Sequence, residues 1–243
     1  MAGIAPAALV DKFNYALSNN WGYIYGKTHE LWSASKQEAY NKAKAGDSDC
    51  ENSIKYGKKW YGHWVTDCSG LFAWAFKELG GYIFHGSNTM FREYTTANGT
   101  LKSGRRTDGK ELLPGTAVFV YKEAKKKYTH VGLYVGNGYV IEAATTLKGV
   151  IKTKVSDSKW THWGTLKGVD YDMKPEPIPA GYAKVTGKRV ALRSAPTTQA
   201  SVIMRIDTGK DVKLEQPPPS EWDYVSYGGK KGYMMKKFME EGK

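Results

Sequence analysis

Apolar residues recur at helical spacing in two segments of the first eighty residues. Residues 6–19 carry Leu9, Phe13 and Leu17 four apart, and residues 68–79 carry Leu71, Phe72, Ala75, Phe76 and Leu79 on one stripe. Both spacings predict amphipathic helices. Thr66 or Asp67 can cap the start of the second, and Gly80 and Gly81 are expected to end it as left-handed residues. Residues 28–60, polar and irregular, are expected to be an inserted loop with helical turns.

Beyond residue 110 the period changes to that of strands. Residues 112–121, 129–135 and 139–144 are strand candidates, with 149–153 and 163–171 as further ones. Gly136-Asn137-Gly138 is the strongest hairpin signal in the chain. A two-residue turn would pair Leu133 with Glu142 and set a carboxylate among aliphatics. A three-residue loop, with Gly138 left-handed, pairs Val135 with Tyr139 and Gly132 with Glu142. That register collects Val131, Leu133, Val135, Tyr139, Ile141 and Ala143 on one face, and a one-residue slip would expose them all, so it is the expected one. His130, Gly132, Tyr134 and Glu142 then share the other face.

Three prolines, Pro175, Pro177 and Pro179, mark residues 172–181 as an extended linker between a first domain, 1–171, and a second, 182–243. The second domain shows only short strand-like runs: 183–186, 190–193, 202–206, 211–215, 222–227 and 232–235. Turn residues every eight to twelve positions predict a small all-β barrel.

A net charge of +12 implies attraction to something polyanionic. It is shared as +8 and +4 between 1–171 and 172–243, with no compact basic arm of the nucleic-acid type. No nucleic-acid partner is therefore expected. No apolar run is long enough to span a membrane, and the N-terminus lacks the pattern of a secretory signal. The expectation is synthesis in the cytoplasm as a soluble monomer. Cys50 and Cys68 make neither a disulfide framework nor a metal-ligand pair; a bridge between them is possible but would consume Cys68. His29, His63, His85 and His162 have no ligand spacing to one another and are read as packing or surface residues. No metal and no cofactor is expected.

Cys68 stands out because a cap at Asp67 places it in the first turn of a helix, where free N–H groups and the helix dipole favour a thiolate. Asp67 opposes this, so a cationic histidine is needed nearby. His130 opens the expected hairpin, and Glu142 lies diagonally across the ladder from it, within side-chain reach. Such a carboxylate can orient an imidazole and stabilise its charged form.

Asp67-Cys68-Ser69-Gly70-Leu71 opening a helix, followed by His130-Val131-Gly132-Leu133-Tyr134-Val135-Gly136-Asn137-Gly138 on a hairpin, resembles the NlpC-type peptidoglycan endopeptidases over about residues 10–170. Gly22-Tyr23-Ile24-Tyr25-Gly26 is similar to that family's aromatic strip, and Leu113-Pro114-Gly115 to one of its turns, with Thr116 where aspartate is usual. The resemblance implies an α+β, papain-like core that cuts stem peptides between D-γ-glutamate and a diamino acid. It further implies Cys68 as nucleophile, His130 as base, Glu142 where the family commonly has histidine, and Tyr23, Tyr25, Asp67, Ser69 and Ser87 along the substrate groove. His162 is the alternative orienter. The tail, through Val190-Ala191-Leu192-Arg193-Ser194-Ala195-Pro196 and the later glycines and aromatics, resembles bacterial SH3-like modules. That implies a wall-binding role, with Trp222, Tyr224 and Tyr227 as candidate ligand residues. A phage lysin, released by a holin onto peptidoglycan, fits these features. A CHAP-like amidase or transferase, and a non-catalytic wall binder, remain the alternatives.

Overall fold

The computed structural model of the chain describes residues 3–157, 159–172, 180–216 and 221–242. Positions 173–179 of the expected linker lie outside the described residues. The chain divides into two compact units, Met1–Lys174 and Pro175–Lys243.

The first unit opens with α1 (Pro6–Ser18), whose buried positions are Leu9, Phe13 and Ala16. Pro6 suits the first turn, where a missing N–H costs nothing. Two short strands follow, β1 (Gly22–Tyr23) and β2 (Glu30–Leu31). The segment expected to be an inserted loop is instead folded. It contains α2 (Ala34–Ala43), α3 (Glu51–Tyr56) and a 3-10 turn, Gly57–Trp60. Ile24, Trp32, Tyr40, Cys50, Trp60 and Val65 form a core of its own. Polarity hides this from a reading of periodicity, because the face of α2 that is buried carries Gln37 and Tyr40. Burying Gln37 is tolerated because its amide is satisfied: Oε1 accepts from Trp32 Nε1 at 3.0 Å and Nε2 donates to Ser53 O at 3.1 Å.

After β3 (Trp64–Thr66), which lies between β1 and β2 in a three-stranded sheet, comes α4 (Cys68–Glu78). Of its two terminal glycines, Gly80 alone is left-handed, at φ 76°. Gly81 closes the end by donating its N–H to Phe76 O at 2.8 Å. Helix α5 (Ser87–Glu93) and strands β4 (Thr95–Lys102) and β5 (Arg105–Arg106) occupy a stretch without clear periodicity. The main sheet is completed by β6 (Ala117–Lys122), β7 (Lys127–Gly136), β8 (Tyr139–Thr145), β9 (Gly149–Lys154) and β10 (His162–Leu166). Its order is β5-β4-β10-β6-β7-β8-β9.

Leu133 faces Ile141, as the hydrophobic pattern requires. The turn differs from the expected three-residue loop. Asn137 (φ 53°) and Gly138 (φ 78°) both take positive φ, a two-residue turn, and the extra residue is absorbed by a bulge between Tyr134 and Gly136. Asn-Gly supplies the left-handed pair whose twist matches the strands, so this turn wins and the register survives. Tyr139 is mostly outside the core, at 37% exposure. Val131, Leu133, Ile141 and Ala143 pack with Phe13, Leu71, Phe72 and Phe76 of the two helices. A slip would forfeit about 1.5–3 kcal/mol for each large side chain exposed. The opposite face is covered too, by Val118, Val140, Trp160 and Trp163.

The second unit is a seven-stranded antiparallel sheet with no helix beyond a single 3-10 turn among its described residues. Its strands are β11 (Tyr182–Val185), β12 (Val190–Arg193), β13 (Val202–Ile206), β14 (Asp211–Gln216), β15 (Trp222–Tyr227), β16 (Lys230–Met235) and β17 (Met239–Glu241). The order is β13-β12-β16-β15-β14-β11-β17. Alternate residues, among them Ala183, Val185, Val190, Leu192, Val225 and Met234, make its core. No helix among the described residues is long and apolar enough to cross a membrane.

Candidate thiol–imidazole site

Asp67, rather than Thr66, caps α4: its Oδ1 accepts from Gly70 N at 2.7 Å. Glycine is required at 70 because a Cβ there would lie 2.1 Å from Lys27 O. The same carbonyl accepts from Asp67 N at 2.6 Å, which seats the helix start on the aromatic strip. Cys68, the first helical residue, is 8% exposed and opens onto a cavity of about 340 Å³. Burial pushes its thiol pKa up, and the Asp67 charge pushes it further. The N–H groups of Val131, Ser69 and Cys68 itself favour the thiolate but are outweighed. The helix-start effect anticipated from sequence is thus present and insufficient.

Val131 immediately follows His130, so the thiol meets β7 at the histidine's own peptide. His130 Nε2 lies 2.6 Å from Glu142 Oε2, the diagonal neighbour the register selects. Glu142 is 1% exposed. Burial alone would raise its pKa, but the hydrogen bond and charge of His130, then Lys159 Nζ at 2.5 Å and Thr153 Oγ1 at 2.7 Å, hold it at about 2. Trp160 stacks on His130, with ring centroids 5.7 Å apart and 21° between planes. A Cβ at Gly132 would come within 2.8 Å of that indole, so the bare residue at 132 lets Trp160 close over the pair. His162, the alternative orienter, sits instead among Phe91, Tyr121 and Tyr128.

A pH scan follows from Glu142. Its carboxylate stabilises the fold fully above the usual carboxylate range, and that contribution is lost as pH falls through about 2. Melting temperature should drop between pH 5 and 2, and Glu142→Gln should remove much of that slope.

The remaining residues divide. Tyr25, Asp67, Ser69 and Ser87 line the cavity with Cys68. Tyr23 does not line it, yet burial and then the Cys68 and Asp67 charges push its phenol pKa up, which places it beside the thiol. Ser69 Oγ donates to Asp67 Oδ1 at 3.2 Å, and Ser87 Oγ to Tyr128 O at 2.9 Å. Both hydroxyl protons are therefore spent inside the protein, and only oxygen lone pairs remain for a ligand.

Sequence reasoning missed His85. Its Nε2 lies 2.9 and 2.8 Å from the two Asp67 oxygens, and that hydrogen bond raises its pKa. It also missed Asp49, Lys125 and Lys127, which border the same cavity. Cys50 and Cys68 are both free thiols, and Cys50 donates to Asp47 Oδ2 at 3.3 Å. In the second unit Trp222 is buried, Tyr224 packs on Tyr233 at 4.9 Å, and Tyr227 packs on the core. The three aromatics do not share one face, since Tyr227 is odd-numbered on a strand where Trp222 and Tyr224 are even.

A thiol at a helix start thus lies against the strand that carries a histidine held by a buried carboxylate, on an α+β scaffold. Residues 54–168, which lie within the first unit, match the model of the NlpC/P60 family. Over 96 residues the chain is 32% identical to murein DD-endopeptidase MepH of Escherichia coli, a match covering 39% of this chain and 32% of that protein. Among solved structures, the NlpC/p60 domain of the peptidoglycan hydrolase SagA is similar at 14% identity and TM-score 0.42, covering 66% of this chain and 98% of that one. The peptidoglycan hydrolase RipB of Mycobacterium tuberculosis is similar at 20% identity and TM-score 0.40, covering 68% and 67%.

Proposed function

We propose that the chain is a cysteine endopeptidase that cuts peptidoglycan stem peptides, with Cys68 as nucleophile, His130 as base and Glu142 as orienter. The observation that carries this reading is the 2.6 Å contact between His130 Nε2 and Glu142 Oε2 on the strand whose next N–H meets the thiol. With Nε2 engaged by the carboxylate, Nδ1 is the nitrogen left to take the thiol proton. The thiolate attacks the peptide carbonyl, the amine leaves with the proton from imidazolium, and water then releases the acyl group from sulfur. The bond proposed is D-γ-glutamyl to diamino acid, on the resemblance of the motifs. A zymogram on purified peptidoglycan, with mass spectrometry of the fragments, tests both parts. A clear zone releasing a new amino terminus at the diamino acid supports the reading. A new amino terminus at L-alanine, freed from the lactyl carboxyl, would assign an amidase instead, and no clearing would leave a wall binder.

His85 joins this proposal as a positioning residue. Asp67 disfavours the thiolate, and a protonated His85 on both its oxygens offsets that charge. His85→Gln should slow alkylation of Cys68 by iodoacetamide about 3–10-fold at neutral pH and move its midpoint to higher pH. An unchanged midpoint would reduce His85 to a loop tether.

The second unit is proposed as an SH3-like wall-binding module, and the whole as a phage lysin that reaches the wall after holin-mediated release. Seven short antiparallel strands around one apolar core support the first part. Retention of the chain on purified walls, lost on removing residues 182–243, is the corresponding measurement.

A further inference from the structure

The alternation that buries Val190 and Leu192 turns Ala191 outward, and Ala191 pairs with Arg205 across β12 and β13. A small residue there leaves a trough, and long cationic side chains border it. Lys188 and Arg189 come from the turn before β12, Arg193 from its end, Arg205 from β13 and Lys237 from the turn after β16. They line a cavity of about 340 Å³ together with Trp222. No acidic residue lines it, and among the described residues none of the five forms an ion pair with a carboxylate. Elsewhere on this unit lysines do find such partners, as Lys231 does with Glu215 at 2.9 Å.

Two of the cations are held in place. Arg193 Nη1 donates to Ala200 O at 2.7 Å, and Arg205 Nη1 to Arg189 O at 3.2 Å. Each guanidinium keeps further N–H groups, and its planar fork matches a phosphate or carboxylate edge. Five uncompensated charges around one trough repel each other, and a bound polyanion relieves that repulsion while releasing counterions.

We propose that this trough is a binding site for a phosphodiester-linked polymer of the cell wall. Phosphodiester groups repeated along a flexible chain suit cations spread over two strands and two turns. Nucleic acid carries the same groups, but single strands are gripped by bases stacked on open aromatic faces. Trp222 is 8% exposed and offers no such platform. The choice of a wall polymer rests on the wall-cutting activity proposed above, so binding is measured on Cys68→Ala, which reads it apart from cutting.

The test uses the full chain as Cys68→Ala at about 150 mM salt, on purified Gram-positive walls before and after acid stripping of their phosphodiester polymers. Stripping should weaken binding about 10-fold, and soluble poly(glycerol phosphate) should compete. Lys188→Gln with Lys237→Gln should weaken binding to intact walls by a similar factor, while Lys210→Gln with Lys230→Gln, equal in charge but outside the trough, should change it less than 2-fold. Equal losses in the two double variants would reduce the effect to net charge and overturn the proposal. So would indifference to stripping, an arm that needs no substitution in the trough, or tighter binding of a 20-nucleotide single strand than of the wall polymer.

Discussion

Cys68→Ala should abolish wall lysis, to less than about 1% of the parent rate, while leaving the melting curve and wall retention unchanged. The substitution removes one sulfur from a position at a helix start and keeps the Asp67 cap, the Gly70 contact and the Val131 strand in place. Alanine is a strong helix former, so little local stability is at stake. Iodoacetamide should inactivate the parent protein, and a stem peptide should slow that reaction by covering the cavity. Lysis by Cys68→Ala above a few per cent of the parent rate would remove Cys68 from the role of nucleophile.

Glu142→Gln should lower turnover on the order of 10–100-fold with little change in KM. Glutamine keeps the shape and an oxygen to accept from His130, but the carboxylate charge is gone. Lys159 and His130 then face each other across a neutral amide instead of sharing an anion. The imidazole loses its charged anchor, so its orientation toward the thiol loosens. A merely structural role for Glu142 would lower the melting temperature and leave turnover per folded molecule unchanged. Full activity would dissolve the triad altogether.

Local rules carried much of this geometry in the sequence. Asp67 followed by an apolar stripe announces a capped helix, and the alternation from Val131 to Ala143 admits one register, which forces Glu142 toward His130. The turn type differs from the sequence expectation without changing the register, because a bulge absorbs one residue and the apolar pattern decides the pairing. Strands 190–193, 202–206 and 222–227 fall where turn spacing put them. His85 and Lys159 were not legible. They reach Asp67 and Glu142 from 18 and 17 residues away in sequence, out of segments with no period, where only the folded path brings charges together. The insertion escaped for a different reason: its core is built from isolated aromatics and a satisfied amide, which no hydrophobic periodicity registers.

That insertion is also joined to the cavity wall. Tyr40 donates its hydroxyl proton to Tyr25 O at 3.0 Å, and Tyr25 N donates to Ser53 Oγ at the same distance. Tyr25 lines the cavity, and the Gly26 N–H beside it meets Asp67 Oδ2 at 2.8 Å. The rim beside Cys68 is therefore held from a neighbourhood whose few apolar side chains are separate from the main core. Warming that frays this small core should slacken the rim while α4 and the main sheet stay folded, so the proposed activity is expected to fall at a lower temperature than the melting of the first unit.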